Sequence, residues 1–77
     1  MTPPFDRREF AVHFGKRLRA VRVLRRMSQF ELAHRSGYVK QTISNLERGF
    51  CPPSLPTAFT LAEVLDVHPQ DLLFGES

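Results

Sequence analysis

Cysteine is nearly absent from this 77-residue sequence, and tryptophan is missing altogether. The single cysteine, Cys51, excludes an internal disulfide framework. No apolar run approaches the roughly 18 residues that a membrane-spanning helix needs. The N-terminal region also lacks the apolar segment of a signal peptide. We therefore expect a cytoplasmic protein that does not associate with membranes.

The sequence also lacks the residue groupings that bind metals or carry out catalysis. Cys51 stands beside two prolines, and no histidine and asparagine can be placed near it as catalytic partners. The histidines, His13, His34 and His68, are too scattered to form a zinc site with one cysteine. A glycine-rich nucleotide loop is absent. We expect no enzymatic activity, no metal site and no cofactor.

Acidic residues are missing from one stretch of the chain. Between Lys16 and Arg26 the sequence has six basic residues and no acidic one, whereas residues 63–77 have four acidic residues and no lysine or arginine. A basic region suits contact with the phosphates of nucleic acid. A cationic helix face that is merely solvated is the alternative, and on charge alone it is the more common case.

Apolar residues in the first third of the chain recur at helical spacing. The stripe consists of Phe10, Phe14, Leu18, Val21 and Leu24. Asp6, followed three positions later by Glu9, predicts the capped start of this helix. Gly15 lies inside it and should weaken it by about 1 kcal/mol relative to alanine. We expect burial of the apolar stripe to outweigh that cost.

Residues 28–49 predict two short helices joined by a glycine turn, which is a helix-turn-helix motif. Ser28 and Glu31 have the spacing of a capping box at the start of the first of these helices, and Gly37 predicts its C-terminal turn. The other helix of the motif, which is the third helix of the chain, runs over about 40–48.

Two further helices complete the predicted fold. Ser54 predicts the start of a fourth helix after a proline-containing loop, and His68-Pro69 predicts a short fifth one. The core candidates of the fourth helix are Leu55, Phe59, Leu61, Ala62 and Leu65. Because no alternating strand pattern is present, we predict an all-α, five-helix domain over residues 6–77. A flexible arm at residues 1–5 precedes it.

Polar side chains cover one face of the helix predicted over 40–48. At about 100° per residue, a ~140° arc contains Lys40, Gln41, Ser44, Asn45 and Arg48. Ile43 and Leu46 lie on the opposite side, and Thr42 lies at a border. Glutamine and asparagine can bond an adenine edge in two places, lysine can donate to guanine, and serine can bond either base. This set favours base reading over an ordinary amphipathic surface helix.

Taken in order, these residues resemble the phage-repressor and Cro type of helix-turn-helix family, also called the Xre family. The resemblance rests on Ser28-Gln29-x-Glu31-Leu32-Ala33, Ser36-Gly37, Thr42-Ile43-Ser44-x-Leu46-Glu47-Arg48-Gly49 and Pro53-Ser54-Leu55. It extends from about Phe14 to Phe74. It implies a compact, lambda-repressor-like DNA-binding domain that acts as a homodimer on a palindromic operator.

The resemblance also implies roles for individual residues. The base contacts would be Lys40, Gln41, Ser44 and Asn45. The phosphate contacts would include Gln29, at the start of the second helix, and Arg48; we add Arg19, Arg26 and Thr42 to them. Arg22 and Glu47 would form a structural ion pair. Our candidates for the dimer surface are Leu72, Leu73 and Phe74, with burial in the monomer core as the alternative.

The sequence departs from the family pattern at several positions. Val39 stands where a small polar cap is usual, so we expect a weaker start of the third helix. Arg26 stands where glycine is usual, between the first two helices. Phe30 replaces a polar or small residue on the exposed side of the second helix, where it could contact DNA or a partner protein, or fold back onto its neighbours.

Three functions are compatible with these features. The first is a transcriptional regulator that binds specific duplex DNA as a homodimer, as phage repressors and restriction–modification controllers do. The second is an antitoxin that binds operator DNA and also a toxin protein, through Phe30 or the apolar C-terminal helix. The third is a protein-binding adaptor that has lost DNA binding. The basic stretch and the polar helix face favour the first.

Overall fold

The computed structural model describes residues 6–75, and within that range the chain forms five α-helices and no strand. In chain order they are α1 (Arg7–Leu24), α2 (Gln29–Ser36), α3 (Lys40–Glu47), α4 (Leu55–Leu65) and α5 (Pro69–Phe74). The predicted all-α fold is confirmed. The predicted arm at residues 1–5 lies outside the described residues.

Side-chain caps begin the helices where the sequence predicts them. The side chains of Asp6, Ser28 and Ser54 accept hydrogen bonds from backbone N–H groups in the first turns of α1, α2 and α4. Val39 gives α3 no side-chain cap. The N–H of Thr42 donates instead to the backbone oxygen of Val39, at 3.0 Å. α3 therefore has a weaker helix start than α2, as the valine predicts.

One apolar core contains residues of all five helices. Its members are Phe14, Leu18, Leu32, Ala33, Ile43, Leu46, Ala58, Leu61, Ala62, Leu65, Leu72 and Leu73. α1 packs against both α3 and α5, and α2 packs against α3 and α4. The core thus fixes α3 from its inner side and leaves its outer side to solvent.

Three residues that we predicted to be buried are exposed. Leu24 is 74% exposed, because 3.6 residues per turn place it about 80° away from Phe14 around α1. Leu55 and Phe59 are also exposed. α4 buries the side that carries Ala58, so the two residues one turn apart on the other side face outward.

α1 and α3 approach each other closely at Gly15. A Cβ atom there would lie 2.6 Å from the backbone oxygen of Glu47 and closer still to that of Leu46. Both neighbours are main-chain atoms at the C-terminal end of α3. The glycine that we predicted as a weak point of α1 is therefore the residue that allows α3 to pack against it.

Candidate nucleic-acid interface

The outward face of α3 carries the four residues that we predicted to read bases. Ile43 and Leu46 are buried in the core. Their burial leaves Lys40 and Gln41 exposed and Ser44 and Asn45 half-buried at the surface. On this face, Nε2 of Gln41 donates a hydrogen bond to Oδ1 of Asn45 at 2.9 Å.

A loop of residues 48–54 follows the C-terminal end of α3 and connects it to α4. A shallow, open cavity of about 260 Å³ lies between α3 and this loop, and its lining includes Thr42, Asn45 and Pro52. The guanidinium carbon of Arg48 lies 5.7 Å from the ring centroid of Phe50. This distance fits a cation–π contact that leaves the charge of Arg48 at the surface.

Three of the six basic residues between Lys16 and Arg26 form hydrogen bonds that hold the helices together. Arg17 donates to the backbone oxygens of Leu72, at 2.9 Å, and Leu73, so it satisfies the C-terminal end of α5. Burial lowers the pKa of Arg17, because removal of water penalises the charged guanidinium. Arg25 donates to the backbone oxygen of Leu65 at 2.8 Å, at the end of α4. We had not predicted either role.

The third of these structural arginines is Arg22, which forms an ion pair with Glu47. Nε of Arg22 donates to Oε2 of Glu47 at 2.6 Å, and Nη2 donates to Oε1 at 3.0 Å. The Glu47 side chain is only 4% exposed. Nη1 of Arg22 donates to the backbone oxygen of Met27 at 2.8 Å. The pair therefore links α1, the turn after it and the end of α3.

Gln29 belongs to the same network. Its Nε2 donates to Oε1 of Glu47 at 3.0 Å. One amide hydrogen of Gln29 is thus bound inside the protein, which leaves the other hydrogen and the amide oxygen for a ligand. Its position as the first residue of α2 adds an unpaired backbone N–H of the kind that binds phosphate.

The exposed side chains of the basic stretch that have no hydrogen bond or ion pair to the described residues are those of Lys16, Arg19 and Arg26. The sequence could not separate them from the structural arginines. The acceptors of Arg17 and Arg25 are backbone oxygens 55 and 40 positions away, respectively, and carry no sequence signature. The charges of these three side chains therefore face solvent.

Arg26 has a left-handed backbone, with a φ of 59°, at the position where the family pattern has glycine. We expect Arg26→Gly to stabilise the fold by up to about 1 kcal/mol, because a left-handed backbone is unfavourable for residues other than glycine and the flexibility of glycine offsets part of the gain. If Arg26 also contacts a phosphate, the same change should reduce the salt dependence of DNA binding by about one ion.

Asp66 provides a matched control for this prediction, because its φ is 57° and it lies at the end of α4. Asp66→Gly should relieve less strain, because aspartate tolerates a left-handed backbone better than arginine does, and it should leave the salt dependence of binding unchanged. Thermal melting and DNA titrations at several salt concentrations measure both effects. An equal change of salt dependence in the two variants would contradict a phosphate contact by Arg26.

The structure corrects two of our three candidates for the dimer surface. Leu72 and Leu73 are buried, because α5 turns them into the core between α1 and α4. Phe74 is 68% exposed, and its ring centroid lies 6.4 Å from that of Phe10. Among the three, Phe74 alone offers an apolar side chain to a partner.

None of the helices formed by residues 6–75 combines the length and the apolar character of a membrane span. In the same part of the chain, no three histidine, cysteine, aspartate or glutamate side chains come together as a metal site.

Known proteins share this five-helix fold with a helix-turn-helix motif. The helix-turn-helix family model HTH_3 matches residues 18–72. An HTH-type transcriptional regulator of Sinorhizobium fredii is 42% identical over 73% of this chain, and the match spans 29% of the length of that relative.

Two solved structures are similar along most of their own length. The restriction–modification controller protein C.AhdI from Aeromonas hydrophila has a TM-score of 0.78 and 39% identity over 80% of this chain and 94% of its own. The P22 c2 repressor, solved in complex with a synthetic operator, has a TM-score of 0.77 and 30% identity over 82% of this chain and 96% of its own. The chain therefore belongs to the HTH_3 helix-turn-helix family of DNA-binding transcriptional regulators.

Proposed function

We propose that this protein is a sequence-specific transcriptional regulator that binds a palindromic operator as a homodimer, with α3 of each copy in the major groove. The observation that carries the proposal is the outward face of α3. Four side chains that can bond base edges stand there on a helix anchored by Ile43 and Leu46. The similar P22 c2 repressor, solved with an operator, supports this use of the fold.

Residues around α3 would contact the phosphate backbone on both sides of the groove. Arg19 and Arg26 lie in the basic stretch, and Gln29 begins α2. Thr42 lies at the border of the polar face of α3, and Arg48 directly follows the last residue of that helix. Contacts of this kind set the position of the helix on the duplex, whereas contacts to base edges set the sequence preference.

Dimerisation would use the exposed apolar side chains of the two C-terminal helices. Leu55 and Phe59 face outward from α4, and Phe74 is exposed on α5. Large apolar side chains exposed in this way on a small domain favour association with a second copy. A two-fold dimer places two recognition helices about 34 Å apart, which is one turn of DNA. The operator should therefore be a palindrome with that spacing.

Selection from random duplex DNA, followed by sequencing, tests the proposal. The expected result is an enriched palindrome whose half-sites are about 10 base pairs apart and whose binding weakens steeply with salt. The proposal would be contradicted if no sequence were enriched and if the protein bound all duplexes weakly, with an affinity that varies with salt and not with sequence.

Two variants separate base reading from phosphate contact. Gln41→Ala should weaken operator binding by about 1–3 kcal/mol and relax the preference at one base pair. Arg19→Ala should weaken binding to every sequence alike and lower the salt slope by about one ion. Titration of the operator and of a scrambled duplex at several salt concentrations measures both. The reverse pattern would remove these assignments.

An antitoxin is the alternative, and the exposure of Phe30 favours it. Phe30 is 68% exposed on α2, and its ring lies nearly parallel to that of His34, with centroids 6.4 Å apart. An exposed aromatic side chain of this kind suits a protein partner. Co-expression with the product of the adjacent gene, followed by purification of the complex, tests this. Phe30→Ser should then abolish the complex and leave operator binding intact.

A further inference from the structure

The hydrogen bond between Gln41 and Asn45 limits what Gln41 can offer to a base. The two residues are four positions apart on α3, so their side chains lie on the same face. Nε2 of Gln41 is the donor and Oδ1 of Asn45 is the acceptor, at 2.9 Å. One of the two amide hydrogens of Gln41 is therefore already used.

Asn45 is the less exposed partner of the two. Gln41 is exposed, whereas Asn45 is half-buried beside Thr42 and Pro52 at the edge of the cavity next to α3. The backbone oxygen of Asn45 also accepts a hydrogen bond from the N–H of Phe50 at 3.1 Å. Its lower exposure makes Asn45 the better placed of the two residues to orient its partner.

This orientation matters because adenine and guanine require different donor patterns. In the major groove adenine presents one acceptor and one donor, whereas guanine presents two acceptors. A free glutamine can meet either base, since its amide has two N–H donors and one oxygen acceptor. With one hydrogen bound to Asn45, Gln41 retains one donor and one acceptor. That remainder matches adenine and lacks the second donor that guanine needs.

We propose that Asn45 is a positioning residue that restricts Gln41 to adenine, so that the two amides read a single base pair together. This inference rests on the proposed function, because it requires α3 to lie in the major groove. Fixing Gln41 before binding also lowers the entropy that the side chain loses on DNA.

The test uses the operator obtained by selection. Gln41→Ala first identifies the base pair at which discrimination is lost. Dissociation constants are then measured for two operators that carry A·T or G·C at that pair. The wild-type protein should prefer A·T by about 5- to 100-fold. Asn45→Ala should reduce that preference by about 2- to 10-fold at the same pair. The double variant should discriminate to the same extent as Gln41→Ala alone.

Two control variants distinguish positioning from general damage. Asn45→Asp keeps an oxygen acceptor for Gln41 and adds a negative charge near the phosphates. It should weaken binding to both operators and preserve the ratio between them. Lys40→Ala removes a neighbouring cation that does not bond to the amide pair, so it should lower affinity without changing the ratio at that base pair. Melting temperatures of all variants should stay close to that of the wild type.

The possible failures are distinct. If Asn45→Ala relaxes a different base pair, or if its effect adds fully to that of Gln41→Ala, Asn45 reads a base of its own and the inference is overturned while the proposed function stands. A wild-type preference for G·C at the Gln41 pair would also overturn it. If selection enriches no sequence, the inference fails together with the proposed function.

Discussion

Replacement of Gly15 with alanine should destabilise the protein by about 3 kcal/mol, although helix propensity alone predicts a gain of about 1 kcal/mol. The added methyl group would meet the backbone oxygens of Leu46 and Glu47, the latter at 2.6 Å. Backbone atoms cannot rotate away as a flexible side chain can. α3 would therefore have to shift as a whole, and the core contacts of Leu46 would shift with it. Urea denaturation measures the loss.

The control for this prediction lies one and a half turns further along α1. Ala20 is exposed, so Ala20→Gly should cost only the propensity difference of about 1 kcal/mol. For a domain of this size, a loss of about 3 kcal/mol lowers the melting temperature by more than about 10 °C. Gly15→Ala should also weaken operator binding, because the displaced helix is the one that reads bases. A melting temperature at or above that of the wild type would show that α1 and α3 can separate without cost.

Replacement of Arg22 with alanine should cost about 3–5 kcal/mol, because it leaves the carboxylate of Glu47 buried without its cation. That side chain is 4% exposed and accepts two hydrogen bonds from Arg22. After the change, the amide of Gln29 would be its one remaining donor among those that the structure identifies. Chemical denaturation of the variant and of the wild type gives the difference in the free energy of unfolding.

Arg35 offers a matched comparison. It also forms an ion pair with a glutamate, Glu31, at 2.8 Å, but these side chains are 55% and 41% exposed. Arg35→Ala should therefore cost no more than about 0.5 kcal/mol. The double variant Arg22→Met with Glu47→Leu should recover much of the loss of Arg22→Ala, since it leaves no buried charge. Equal losses for Arg22→Ala and Arg35→Ala would mean that burial does not govern the strength of these pairs.

The sequence was sufficient for features that depend on residues near one another in the chain. Helix starts follow from Ser28 and Ser54, because a cap acts within one turn. The polar face of α3 follows from the period of the helix once Ile43 and Leu46 are assigned to the core. The Arg22–Glu47 pair was implied by the family resemblance and not by spacing, since its members are 25 positions apart.

Features that depend on distant parts of the chain could not be predicted. α4 carries apolar residues around most of its circumference, so its sequence does not show which side meets the core, and Leu55 and Phe59 were assigned to the wrong side. The role of Gly15 depends on main-chain atoms of α3, more than 30 positions away. Arg17 bonds backbone oxygens, which every residue type provides, so no pattern of side chains indicates its partners.

The bond from Arg17 to α5 also bears on how the protein is made. α5 has six residues, too few to remain helical alone in water. It is stable because Arg17 binds its last carbonyl groups and because Leu72 fills the core. A nascent chain that has left the ribosome only as far as α4 lacks both contacts. The helix-turn-helix motif therefore reaches its final stability only after nearly the whole described chain has been synthesised.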